Sequence, residues 1–298
     1  MDEIISLIKK LSEIRKIPQF LFVEVINPKT LMKLRGKIQQ FKFDNPLSNE
    51  IDFIINSPGG SADDAYRIIR TLRKNFSKVN IIVPFWAKSA ATLLSLGGSQ
   101  IIMDEFGEFG PIDVQIPKEL DDRPDIESES ALIDENSLNR IETRSRELYL
   151  KMFTDLYTSD LIHINKNELS KQILDYLAKF YEPLLKQINP YKIGDKNRKL
   201  DIGEQYARRI LSLYNPDISN ENKNILVDYL VNGCPDHGYV IDYDLISRFL
   251  SNIKKSTEFG NEYEQTLNQI SNNFVLGKEN VYIDFVLKES KLANTEIN

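Results

Sequence analysis

The chain has 298 residues, with 38 Lys and Arg against 44 Asp and Glu, so its net charge of −6 argues against a nucleic-acid surface as its main purpose. With 41% hydrophobic and 28% charged residues it has an ordinary globular composition, long enough for one main domain with elaborations. One cysteine, Cys234, and two histidines leave no internal disulfide and no zinc cluster of usual spacing, and no run reaches the roughly 18 apolar residues of a membrane span. A soluble protein of the reducing cytoplasm, without metal or cofactor, is the expectation.

In chain order, an amphipathic helix is expected over 4–11, facing the body or another subunit. Strands follow over 20–25, 51–56, 80–83 and 100–103, separated by helices over 31–40, 63–75 and 89–96. That alternation implies βαβ units and a mostly parallel sheet with right-handed crossovers. After Gln115 the character changes. A charged loop, Asp121-Asp122-Arg123-Pro124-Asp125, leads into helical material over 128–160, 167–186, 201–213 and 222–231. Within it, Tyr176, Phe180, Tyr181 and Leu184 lie at helical spacing and read as core or subunit contacts rather than a ligand cage. His237 sits in a turn leading into a strand, followed by a helix over 242–250. The last segment, 251–298, is polar until an alternating strand over 280–287 that can complete a sheet edge. The domain reading is a core over 1–250, with a helical elaboration over about 126–232, and an extension over 251–298.

Two strand ends carry the chemistry. Asn56-Ser57-Pro58-Gly59-Gly60 is a glycine-rich turn where the backbone can approach a substrate, and Ala87-Lys88-Ser89-Ala90-Ala91-Thr92 places a serine at the start of an apolar helix. Such a serine is either a helix N-cap or a nucleophile. The small residues around it, and the N–H groups of Gly60 and Ala90 as donors to an oxyanion, favour the second reading. Gly59 and Gly110 would flank the substrate.

These motifs, with Gly110-Pro111-Ile112-Asp113 and His237-Gly238-Tyr239-Val240-Ile241, resemble the serine dehydrogenase proteinases. That family belongs to the ClpP/crotonase superfamily, beside the Clp-type and signal-peptide-peptidase-type enzymes. The separation of 29 residues between Gly60 and Ser89 suits that architecture. The chain departs from the family pattern at Ala91, where glycine is usual, and at Asn56, where histidine is usual. The resemblance implies an α/β core of repeated ββα and βαβ units with a helical insertion. It also implies a serine endopeptidase acting on peptides or unfolded protein, assembled as a homo-oligomer and fed by a separate activator or unfoldase, since no nucleotide-binding loop is present.

The base is less evident. The segment matching the Clp-type histidine ends here in Asp113, whereas His237 stands where that family carries its acid. A Ser89–His237–Asp113 set with exchanged roles satisfies the triad logic, and a structural role for His237 stays open beside it. Lys88 is an alternative base, disfavoured because neighbours in sequence rarely face one another. Lys118 and Lys151 lie outside any motif, and His163 reads as a half-buried structural residue. Two other classes remain: a catalytically silent ClpP-like scaffold that binds peptides, and an acyl-CoA enzyme, which the absence of an evident basic cluster near the motifs leaves unsupported.

Overall fold

The structure is a computed structural model that describes residues 1–112, 115–117, 128–159, 163–186, 188–236, 238–277 and 280–286. They fall into two compact units, one formed by Met1–Val114 with Leu200–Asn298 and the other by Gln115–Lys199.

The first unit is built on a six-stranded sheet in the order β10-β1-β2-β3-β5-β9, where β1 is Gln19–Val23, β2 Glu50–Asn56, β3 Lys78–Val83, β5 Gln100–Met103, β9 Ile253–Lys255 and β10 Tyr282–Val286. Every neighbour pair is parallel except β1 with β10. The central strands are buried on both faces, so they read as unbroken apolar runs rather than alternating ones.

Side chains still alternate by face. Leu21, Val23, Ile54, Ile82 and Ile102 meet Ile4, Ile8 and Leu11 of α1 (Asp2–Arg15) and Leu267, Ile270 and Phe274 of α10 (Asn261–Val275). On the opposite face Phe20 stacks on Phe53 at 5.5 Å and meets Phe285 edge-on at 4.9 Å. Phe41 of α2 (Pro28–Asp44) closes that row at 3.9 Å from Phe285. α3 (Ala62–Asn75) and α4 (Ala90–Ser95) complete this layer.

The expected elements are present with shifted ends. β1 stops at Val23; Val25 is exposed, and Ile26 instead bridges Gly60. α2 begins three residues early because Asn27 caps it, accepting from Lys29 N at 2.9 Å and Thr30 N at 3.0 Å, with Pro28 in the first turn. The helix expected over 242–250 shrinks to α9 (Tyr243–Ile246), and Ile241 forms an isolated bridge rather than a strand. The segment after 251 supplies both edge strands and α10, whose apolar face the polar sequence concealed.

The second unit holds the hairpin of β7 (Gln115–Pro117) and β8 (Ser128–Ser130), then α5 (Ala131–Tyr157), α6 (Lys166–Leu185) and the start of α7 (Pro190–Tyr214), which continues in the first unit. Leu169, Ile173 and Leu177 are its buried centre, with Tyr181 packed against them. The aromatic stripe on α6 therefore divides: Tyr176, Phe180 and Leu184 are about half exposed. His163 is exposed, not half-buried.

At the amino ends of the strands lies a buried polar network. Arg15 grips Asp52 through two bonds of 3.0 Å, and Gln19 Nε2 and Asn80 Nδ2 each donate to the same carboxylate at 2.8 Å. Asp52 has no exposed surface, so removing it would strand the Arg15 charge and two amides. Asp52→Ala should lower the unfolding free energy by about 3–5 kcal/mol in urea titrations; a loss below about 1 kcal/mol would mean the network is dispensable. Farther along β5, the buried Asp104 receives Ser256 Oγ at 2.9 Å and Ser271 Oγ at 2.6 Å, yet burial raises its pKa above the usual carboxylate value. The folded state thus holds this proton more tightly than the unfolded chain does. The stability it contributes is present below about pH 4 and is lost as pH rises through the raised folded value. Asp104→Asn should flatten that part of the stability profile, read from denaturation midpoints across pH.

Candidate active site

The site forms where β2 leaves the sheet. Ser57 bridges Ala87 in parallel, with Ser57 N donating to Trp86 O at 3.1 Å and Lys88 N to Ser57 O at 3.0 Å. β4 (Trp86–Ala87) pairs in turn with β6 (Glu108–Phe109), and Phe109 exchanges two bonds with Ile241, at 2.9 and 3.0 Å. This short ribbon lines up the four sequence motifs side by side.

Two glycines let the turn close on the serine. A Cβ at Gly59, whose φ is +102°, would lie 2.6 Å from Lys88 O and 2.8 Å from Ser89 Cβ. At Gly60, φ +135°, it would lie 2.2 Å from Ile26 O. Only a residue without a side chain can hold this approach. The turn is pinned on both sides, by Gly59 N donating to Ser57 Oγ at 3.1 Å and by Ile26 N donating to Gly59 O at 2.7 Å.

Ser89 is 5% exposed and adopts φ 50°, ψ −116°. It makes no side-chain cap bond to α4, so the capping explanation for a serine at this position is absent. A backbone of this kind in a residue with a Cβ costs on the order of 1–3 kcal/mol and persists only where surroundings enforce it. Lys16, the other described non-glycine residue with positive φ, is simply the left-handed cap of α1. The N–H groups of Gly60 and Ala90 donate to no acceptor among the described residues, whereas that of Gly59 is occupied. This pattern leaves one donor at Ala90, next to Ser89 in the chain, and another in the glycine turn that packs on Ser89 through Gly59.

Lys88 and Thr92 hold the ribbon together. Lys88, 7% exposed, places Nζ 2.6 Å from Glu108 Oε1 and 3.4 Å from Phe109 O, and its stem crosses Gly110. Thr92 Oγ1 lies 2.6 Å from Ala87 O and 2.8 Å from Gly110 O and accepts from Gly110 N at 3.2 Å. Glu108 and the bridging role of Thr92 were missed by the sequence reading; the one available signal was their place beside the glycine-proline motif and within the serine segment.

Asp113, His237 and Lys118 lie outside the described residues. The flanks of His237 are described: Asp236 Oδ1 accepts from Gly238 N at 2.7 Å, and four residues after His237 the chain pairs with Phe109 through Ile241. Lys151 is exposed on α5. Cys234 is no competing nucleophile, because burial pushes its thiol up to about 11. Among the described residues no group of acidic, histidine or cysteine side chains could hold a metal ion, and no helix is long and apolar enough to cross a membrane.

Comparison with known proteins bears on the same segment. Two uncharacterized proteins of Methanocaldococcus jannaschii are 39% and 38% identical to this chain over 71 residues, 24% of its length. The matched stretch is 25% and 24% of those relatives, so the chain spans about a quarter of their length. Among solved structures, a 1510-N membrane-bound stomatin-specific protease variant is 16% identical, with a TM-score of 0.32 over 51% of this chain and 66% of that one. The ClpP protease catalytic domain from Plasmodium falciparum is 26% identical, with a TM-score of 0.26 over 32% of this chain and 55% of that one. A family model described as ClpP-like SDH-type serine proteinase matches residues 3–122, from α1 through the glycine-rich turn and Ser89 to the glycine-proline motif.

Proposed function

We propose that the chain is a serine peptidase that hydrolyses peptide bonds through an acyl-enzyme on Ser89. The observation that carries this reading is the strained Ser89, which makes no side-chain cap bond to α4 and against which the glycine turn packs through Gly59. In the first step Ser89 Oγ attacks the scissile carbonyl carbon and its proton passes to a base. The carbonyl oxygen becomes an oxyanion, held by the N–H groups of Gly60 and Ala90. Each such donor is typically worth about 10²–10³ in rate. The tetrahedral intermediate collapses as the leaving amine takes the proton, and water then releases the acyl group by the same route in reverse.

His237 is our choice of base, with Asp113 as its orienting acid. What supports it is the attachment of the His237 segment to Phe109, one residue from Gly110 and two strands from Ser57. Lys88 has a different role in this reading. Its Nζ is committed to Glu108 and Phe109, so it fixes the ribbon on which Ser89 and Gly110 sit. An extended substrate would lie between the glycine turn and the segment at Gly110. The single buried cysteine suits the reducing cytoplasm.

Ser89→Ala should abolish labelling by a fluorophosphonate probe, read by intact mass, and lower kcat/KM on an unfolded protein substrate by about 10⁴ or more. His237→Ala should do nearly the same to turnover. Wild-type protein that is folded and oligomerically homogeneous yet never labels would favour the silent scaffold. Lys88→Met separates the two lysine roles: a positioning residue predicts labelling at a reduced rate and a loss of about 10²-fold from misplacement, whereas a base predicts a loss as deep as that of Ser89→Ala.

A further inference from the structure

The fold assembles a basic cluster from two helices far apart in sequence. Arg70 and Arg73 project from α3, and Arg209 comes from α7, far along the chain. The Arg70 and Arg209 guanidinium carbons lie 5.7 and 5.1 Å from the centroid of the Tyr66 ring, and that of Arg73 lies 4.9 Å from the Tyr214 ring. Tyr206 stacks on Tyr66 at 4.6 Å and is itself anchored by donating to Asp63 Oδ1 at 2.5 Å. The cluster belongs to one unit and rests on a rigid aromatic base.

Its charges are uncompensated. The adjacent arginines each have a carboxylate, Arg67 with Asp64 at 3.1 Å and Arg208 with Glu204 at 2.7 Å. Arg70, Arg73 and Arg209 pair with no carboxylate among the described residues, although the chain is acidic overall; Arg73 donates to Ser99 Oγ. The three charges converge: all of them pull the Tyr214 hydroxyl toward ionisation, against the larger opposing effect of burial. Tyr66, 5% exposed, has a buried hydroxyl with no hydrogen-bond partner. Three cations without a carboxylate, held over two tyrosine rings, leave positive charge for an anion to neutralise.

We propose that Arg70, Arg73 and Arg209 form a binding site for a phosphate group carried by a small soluble ligand. Guanidinium forks match the oxygens of a tetrahedral dianion in pairs, and stacking on tyrosine holds them in place before the ligand arrives. The site is independent of the peptidase reading and stands whether or not Ser89 is a nucleophile.

Titration of the full-length chain with inorganic phosphate at constant ionic strength, followed by calorimetry and ³¹P NMR, tests it. Saturable one-site binding is expected, weakened about tenfold or more in Arg70→Ala and in Arg209→Ala. Arg67→Ala, whose guanidinium is paired with Asp64, should bind as wild type does. Absence of saturable binding would overturn the proposal, as would binding unchanged in Arg70→Ala and Arg209→Ala, or acetate binding as tightly as phosphate.

Discussion

The site depends on the approach of one backbone turn to another with no side chain between them. Gly59 packs against Lys88 O and Ser89 Cβ, and Gly60 against Ile26 O. If either carried a Cβ, the turn would have to move off Ser89 or Ile26. The strain at Ser89 is enforced by the same contact. Its backbone enters α4 at positive φ because the parallel bridge between Ser57 and Ala87 fixes the chain on one side and the buried α4 fixes it on the other.

Stability and chemistry occupy opposite ends of the strands. At the amino ends, Arg15, Gln19 and Asn80 all donate to the buried Asp52 carboxylate, which ties the end of α1 to β1, β2 and β3. At the carboxyl ends, where open α/β sheets generally bind ligands, the donors of Gly60 and Ala90 are left unfilled. The phenylalanine row of Phe20, Phe53 and Phe285 and the aliphatic layer against α1 and α10 clamp the sheet between these two ends.

Much of the core was legible because its strands are buried on both faces. Continuous runs such as Phe53-Ile54-Ile55 admit few alternatives once Pro58-Gly59-Gly60 ends them. The carboxyl-terminal part was less legible for the opposite reason. α10 shows only Tyr263, Leu267, Ile270 and Phe274 among polar residues, and β10 is recognisable as an edge strand only when β1 is beside it. The stripe on α6 divides between core and surface: Tyr181 joins the buried centre, while Tyr176 and Phe180 face outward, a split that helical spacing does not encode.

Local sequence by itself determined the turn, the serine at the head of a short helix and the parallel strands behind them, because glycine, proline and β-branched runs restrict the backbone residue by residue. Tertiary structure decided everything that joins distant segments. It turned Lys88 toward Glu108, made Thr92 the clamp between Ala87 and Gly110, and tied the His237 segment to Phe109 through Ile241. It also gathered Arg70, Arg73 and Arg209 around two tyrosines. These relations rest on side chains meeting across sheet and helix layers, and no spacing along one strand of sequence encodes which surfaces will meet.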